Sequence, residues 1–273
     1  MKHAVLIALA GTSSAEGAKT LSRMDGLLRD RFSGVRIAWA YTSSGVRRKL
    51  EKAGTCVSDP AVAMSDLMNE GITHVAVKAL HMATGKEYLE LRDLVNEFSG
   101  PPQGFEQIVV SQPLLEVTTD FERTLRCLLS DLPAGTGAGE AVLLVAHGSL
   151  RPEARTAYET AAAICRRLDR RVILSTLISS PGLKDAIREC KVAGLKELAL
   201  VPLMIIAGSS VKDDLAGDGP GSWVSALGRE GISCTPVIKG LADHEAIVSV
   251  WMDDIEHMLG EIWKANVKAN ELE

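Results

Sequence analysis

Paired cysteines are missing from this sequence. Its five cysteines, Cys56, Cys127, Cys165, Cys190 and Cys234, stand singly, with no CxxC pair and an odd total. That excludes a disulfide framework and gives no zinc or iron–sulfur spacing. It fits a reducing compartment, so a cytoplasmic location is expected. No basic run is sustained, and the formal net charge of the 273 residues is -5. A nucleic-acid partner, which needs a basic face, is therefore not expected. The acidic balance leaves room for an anionic small molecule where basic residues gather locally, as in Arg47-Arg48-Lys49. No apolar run approaches a membrane span, so no membrane partner is expected. The 46% hydrophobic and 24% charged residues are the balance of a soluble globular chain.

A repeated stretch organises what is present. Ala141-Val142-Leu143-Leu144-Val145-Ala146-His147-Gly148-Ser149 aligns position for position with Ala4-Val5-Leu6-Ile7-Ala8-Leu9-Ala10-Gly11-Thr12, and Ala10 stands where His147 stands. A short apolar run that breaks at Gly and then Ser or Thr, with a helical pattern downstream, is a parallel strand feeding a helix in an open α/β sheet. Ligands bind such sheets at that carboxyl edge. His147 is thus placed for chemistry that the other half lacks. Met1-Lys2-His3 and the apolar residues after it resemble a short signal peptide with cleavage near Ser14-Ala15. The repeat argues against this, because cleavage there would delete the first strand.

In chain order, residues 35–41, 72–81 and 107–110 read as further strands, with helices between them at Leu21 to Leu28, around Arg47 to Lys49, at Ala61 to Asn69 and through Leu94. Gly71 is placed as a left-handed helix stop. The third strand delivers His81 to the same edge. Residues 132–139, rich in Gly and Ala, read as a linker. Two α/β domains of doubly wound parallel sheet, 1–133 and 140–273, are expected to face each other across a cleft. In the second, 171–177 and 195–204 are strands, and Met204 matches His81. A long loop through Asp213, Asp214 and Gly217 to Trp223 is expected to wall the cleft with its one large aromatic. The final helix carries Ile247, Val250, Trp251, Ile255, Met258, Leu259, Ile262 and Trp263 on one face, which reads as core or as a surface for a second copy.

With both halves in view the chain resembles the anaerobic cobalt chelatases, which insert a divalent ion into sirohydrochlorin. The resemblance rests on Ala40-Tyr41-Thr42-Ser43-Ser44 with Arg48-Lys49-Leu50, Leu80-His81 with Gly85-Lys86-Glu87-Tyr88, Ala146-His147-Gly148 with Ala157-Tyr158, Met204 to Gly208, Asp214 to Asp218, and Ser222-Trp223. It implies a tetrapyrrole in the cleft, a divalent metal (cobalt, nickel or iron) as substrate, no permanently bound cofactor, and association of copies. It also implies a metal held by two histidines and a glutamate of the second half. His147 matches the first of these, as catalytic residue and metal ligand, but the glutamate position is Ile178 and the second histidine position is Ser210. Isoleucine cannot coordinate, and serine is a poor ligand for such ions. The chain is therefore expected to be either a chelatase working with a reduced ligand set or a relative that binds, carries or senses a tetrapyrrole.

His81, Glu87, Asp213 and Asp214 are candidate substitute ligands. Tetrapyrrole carboxylates call for Arg or Lys, for hydroxyls and for helix N-termini. Candidates of that kind are Arg47, Arg48, Lys86 and Lys212 with Thr12, Ser13, Ser43, Ser44, Ser149, Ser209 and Ser210. His81 and Trp223 complete the expected substrate-binding set.

Overall fold

The computed structural model describes residues 2–100, 104–133, 141–208 and 211–270, the side chains of 264–270 excepted. Ser209 and Ser210 lie outside the described residues, as does most of the expected linker. The first half runs β1 (His3–Leu9), α1 (Ala15–Arg31), β2 (Arg36–Tyr41), α2 (Ser44–Lys52), α3 (Pro60–Asn69), β3 (His74–Leu80), α4 (Lys86–Glu97), β4 (Gln107–Val110) and α5 (Thr118–Ser130). The second runs β5 (Val142–Ala146), α6 (Pro152–Leu168), β6 (Val172–Thr176), α7 (Leu183–Ala193), β7 (Glu197–Leu203), α8 (Trp223–Arg229), β8 (Ser233–Pro236) and α9 (Glu245–Asn270).

Local chemistry sets the boundaries. Ser14 caps α1 by accepting from the Gly17 amide at 3.1 Å, and Asp59 with Pro60 behind it opens α3. Gly71 and Gly194 close α3 and α7 at φ 74° and 69°, in the left-handed region where only glycine avoids a Cβ clash. β8 is absent from the sequence reading, because Ser233-Cys234-Thr235-Pro236 is a four-residue edge strand that alternates half-exposed and exposed positions and ends in proline.

Each half is a four-stranded parallel sheet, in the orders β2-β1-β3-β4 and β6-β5-β7-β8. Ala4 to Leu9 and Val142 to Ala146 are buried on both faces, as strands covered by helices on either side must be. The chain leaves β1 for β2 on one side and reaches β3 on the other, and β5 does the same with β6 and β7. A crevice therefore opens at the carboxyl ends of β1/β3 and of β5/β7.

The halves are interlocked. α9 packs on β3 and α5, and α5 packs on α6. One hydrophobic core runs from Val5, Ile7 and Leu9 through Phe121 and Leu125 to Leu144, Trp251 and Ile255. The expected α9 stripe is that core: Ile247, Val250, Trp251, Ile255, Leu259 and Ile262 are buried, while Trp263 is half exposed and donates to His3 Nε2 at 3.1 Å.

Polar ties cross the same seam. Thr20 Oγ1 donates to Asp243 Oδ1 at 2.6 Å, His244 Nδ1 lies 2.5 Å from Asp131 Oδ2, and buried Lys78 meets Asp254 at 2.8 Å. Replacing Lys78 with alanine leaves Asp254 charged without this partner. The expected cost is about 3 kcal/mol, read as a lower urea midpoint at unchanged slope. Among the described residues, no helix is long and apolar enough to cross a membrane.

Candidate active site

The turns after β1 and β5 form two walls of one cleft, and each needs glycine for the same reason. Gly11 and Gly148 have φ 93° and 82°. A Cβ on Gly11 would lie 2.3 Å from the Tyr41 ring, and one on Gly148 would lie 2.6 Å from Ser179 Oγ. The loops after β3 and β7 are fixed alike. The amides of Leu114 and Leu115 donate to His81 and Met82 carbonyls, and those of Leu241 and Ala242 to Met204 and Ile205 carbonyls, all at 2.8–3.0 Å. Between the walls lies a cavity of about 220 Å³ lined by Leu9, Ala10, Gly11, His81, His147 and Met204 with their neighbours.

His147 is the exposed imidazole of this cleft. Its turn is held from below by Tyr158, which hydrogen-bonds the Gly148 backbone, and from the side by the Ile178 amide, which donates to the His147 carbonyl at 3.2 Å. Ile178, at the position the resemblance gives to a glutamate, is thus a direct neighbour of His147, and its side chain is 46% exposed. An apolar group presented there offers no lone pair to an ion.

His81 sits in the opposite wall, 9% exposed. Its Nε2 lies 3.1 Å from Thr42 Oγ1, and Thr42 Oγ1 donates to Glu87 Oε2 at 3.3 Å. A hydroxyl has one proton. With that proton on the carboxylate, Thr42 accepts from an Nε2–H and leaves His81 Nδ1 as a bare lone pair. Burial pushes His81 down from the ordinary 6.5 to about 4.

The folded protein therefore keeps His81 neutral while the unfolded chain takes up a proton below pH 6.5. This contribution to stability is complete above 6.5 and is lost as pH falls toward 4, by about 3 kcal/mol. Urea midpoints measured across that window should show a loss in the wild type that His81→Leu lacks.

The remaining candidates divide by place. Ser13 and Ser44 are exposed at the edge, Ser43 precedes α2 without capping it through its side chain, and Arg48 is exposed and donates to the Ser44 carbonyl at 3.3 Å. Arg47 is spent on the backbone, donating to the Tyr41 and Thr42 carbonyls. Thr12 is buried against Ser14, and Ser149 Oγ accepts from the Arg151 amide at 3.2 Å. Lys86 pairs with Glu90, and Lys212 with Glu16 across the two halves. Asp213 and Asp214 are exposed on a short π-helical turn.

Trp223 is a correction to the sequence reading. It is 4% exposed and packs with Leu143, Leu227 and Ile232 behind the second sheet, because Ser222 caps α8 and turns the indole inward, away from the cleft. Among the described residues, no three His, Cys, Asp or Glu side chains gather closely enough to hold a metal ion.

The profile of the cobalt chelatase (CbiK) family matches residues 3–260. The chain belongs to the cobalt chelatase family. A relative from Nitratidesulfovibrio vulgaris, sirohydrochlorin cobaltochelatase CbiKC, is 37% identical over 254 residues, covering 93% of this chain and 89% of its own. The sirohydrochlorin cobaltochelatase of Salmonella typhimurium is 27% identical over 81% and 82%. SirB from Bacillus subtilis with Fe3+ superposes with a TM-score of 0.64 at 13% identity, over 94% of this chain and 96% of that one. The sirohydrochlorin chelatase SirB from Bacillus subtilis subspecies spizizenii, in complex with cobalt, gives 0.62 at 12% identity, over 94% and 95%. These two share the fold of paired sheets.

Two features of the site escape a sequence reading. The Glu87–Thr42–His81 chain joins the turn after β2 to the end of β3 and the first turn of α4, and no spacing announces it. Lys78 did carry a signal, since a charged residue inside an otherwise apolar strand needs a buried partner.

Proposed function

We propose that this chain inserts a divalent metal, cobalt foremost, into sirohydrochlorin held in the cleft between its two sheets. The observation that carries the reading is His147: one exposed imidazole at the carboxyl end of β5, lining the cavity between the halves of a chain of the cobalt chelatase family. A neutral imidazole has one lone pair, which serves as a metal ligand or as a proton acceptor. Insertion breaks two pyrrole N–H bonds, turns their electron pairs into bonds to the ion and releases two protons, with no change of oxidation state. With that one lone pair His147, at the open face of the macrocycle, acts either as ligand to the incoming ion or as first acceptor of a displaced proton, never both at once. Ile178 beside it gives that face an apolar flank.

The substrate's carboxylates find donors around the rim. Arg48 and the hydroxyls of Ser13, Ser43 and Ser44 stand at the carboxyl edge of the first sheet. The single, unbridged cysteines suit a cytoplasmic location, and the metal is substrate rather than resident cofactor.

The test is an anaerobic absorbance titration with sirohydrochlorin, followed by cobalt, nickel or ferrous ion, against a protein-free control. A metallated spectrum that grows faster than the control supports insertion. Tight macrocycle binding with no acceleration would make the chain a carrier or sensor, the role that the isoleucine at 178 would then mark.

A further inference from the structure

The cleft continues inward on the side of the first sheet. A small cavity of about 10 Å³ shares Leu80, His81 and Ile205 with the cleft. A third, of about 350 Å³, shares Lys78, Gln112, Asp120 and Asp254 with the small one and reaches the surface between α5 and α9, beside Asp253 and His257. The shared lining sets the three in a row from the His147 cleft to the surface beside α5 and α9, the smallest in the middle as a neck.

The neck selects what can move through it. Its volume is that of about one water, far too small for a hydrated dication. Lys78 at that point is paired with Asp254 at 2.8 Å, so the neck carries no uncompensated ammonium against a moving proton. A proton relayed between fixed groups through one water needs no more volume than the neck has. At the inner end stands His81, whose Nδ1 is buried and meets no hydrogen-bond partner among the described residues, so its lone pair is open to a water in the neck. At the outer end stands Asp120, whose carboxyl is pushed up by burial and then by the Asp254 charge, against Lys78 and Arg123. A carboxyl so placed takes and returns a proton more readily than an exposed one.

We propose that this passage carries away protons displaced by metal insertion, from the cleft past His81 and through the neck to Asp120, which hands them to solvent in the outer cavity. The route leaves the open face of the macrocycle to the incoming ion. It rests on the chelatase reading above, and it makes Asp120 a proton-transfer residue remote from the macrocycle. Each proton leaves as its N–H electron pair binds the metal, so the step needs no further reactant.

Asp120→Asn in the full chain tests this. Cobalt insertion should slow about a hundredfold, the low end of what a proton-transfer group contributes, with sirohydrochlorin affinity and the cobalt KM unchanged. Added formate, a small proton carrier, should restore much of the rate, and Asp120→Glu should keep most of it. Asp120→Ser replaces the asparagine variant if that one folds poorly. A rate equal to wild type, or a loss that formate does not restore, would overturn the passage while leaving chelatase activity standing. A wild type that does not accelerate insertion would remove both.

Discussion

Replacing His147 with alanine is expected to lower the rate of cobalt insertion about a hundredfold or more while leaving sirohydrochlorin binding within a few-fold of wild type. The magnitude follows from what a positioned acid–base group contributes, roughly 10²–10⁴ in rate. The selectivity follows from where His147 stands. Its side chain is exposed, with Nδ1 3.4 Å from the Gly148 carbonyl, and its backbone is tied into the fold through the Ile178 amide, so truncation removes chemistry without opening the core. Parallel measurement of kcat and of the macrocycle dissociation constant checks both halves of this expectation. Unchanged turnover would take His147 out of the mechanism, and a matching loss of binding would make it a substrate contact only.

The second large effect is a gain. Ile178→Glu together with Ser210→His installs the carboxylate and imidazole that the resemblance implies beside His147. Cobalt should bind about a hundredfold tighter, roughly 2.7 kcal/mol, as seen in a cobalt titration followed by visible absorbance. Ile178 donates a hydrogen bond from its own amide to the His147 carbonyl and presents a half-exposed side chain. A carboxylate there has solvent access and no buried charge to compensate. Ile178→Glu alone should yield part of the gain. No change in the double variant would mean that positions 178 and 210 do not converge on His147.

Much of the fold was legible because its periodicity is strong. The apolar runs ending at Gly11 and Gly148 announce parallel strands, and their alignment announces two like sheets; β1 and β5 lie where that pattern puts them. β8 was not legible, since a short half-exposed edge strand carries almost no apolar signal. Interlocking was also hidden, because the stripe on α9 says that one face is buried and not against which half. His147 and His81 were readable as edge residues. Trp223 was misread, because a loop rich in glycine and aspartate looks solvent-exposed until the cap at Ser222 is seen to fold the indole under the sheet. The tautomer of His81 and the passage behind it come only from atoms brought together by the fold.

The chain is expected to be a catalyst of insertion and not a vessel for the macrocycle. Multiple-turnover cobalt insertion, run anaerobically with sirohydrochlorin in large excess over protein, tests it most directly. Metallated product should rise linearly well past one equivalent of protein, at a rate proportional to protein and above the protein-free control. Product that stops at one equivalent, or that forms no faster than in the control, would contradict the account.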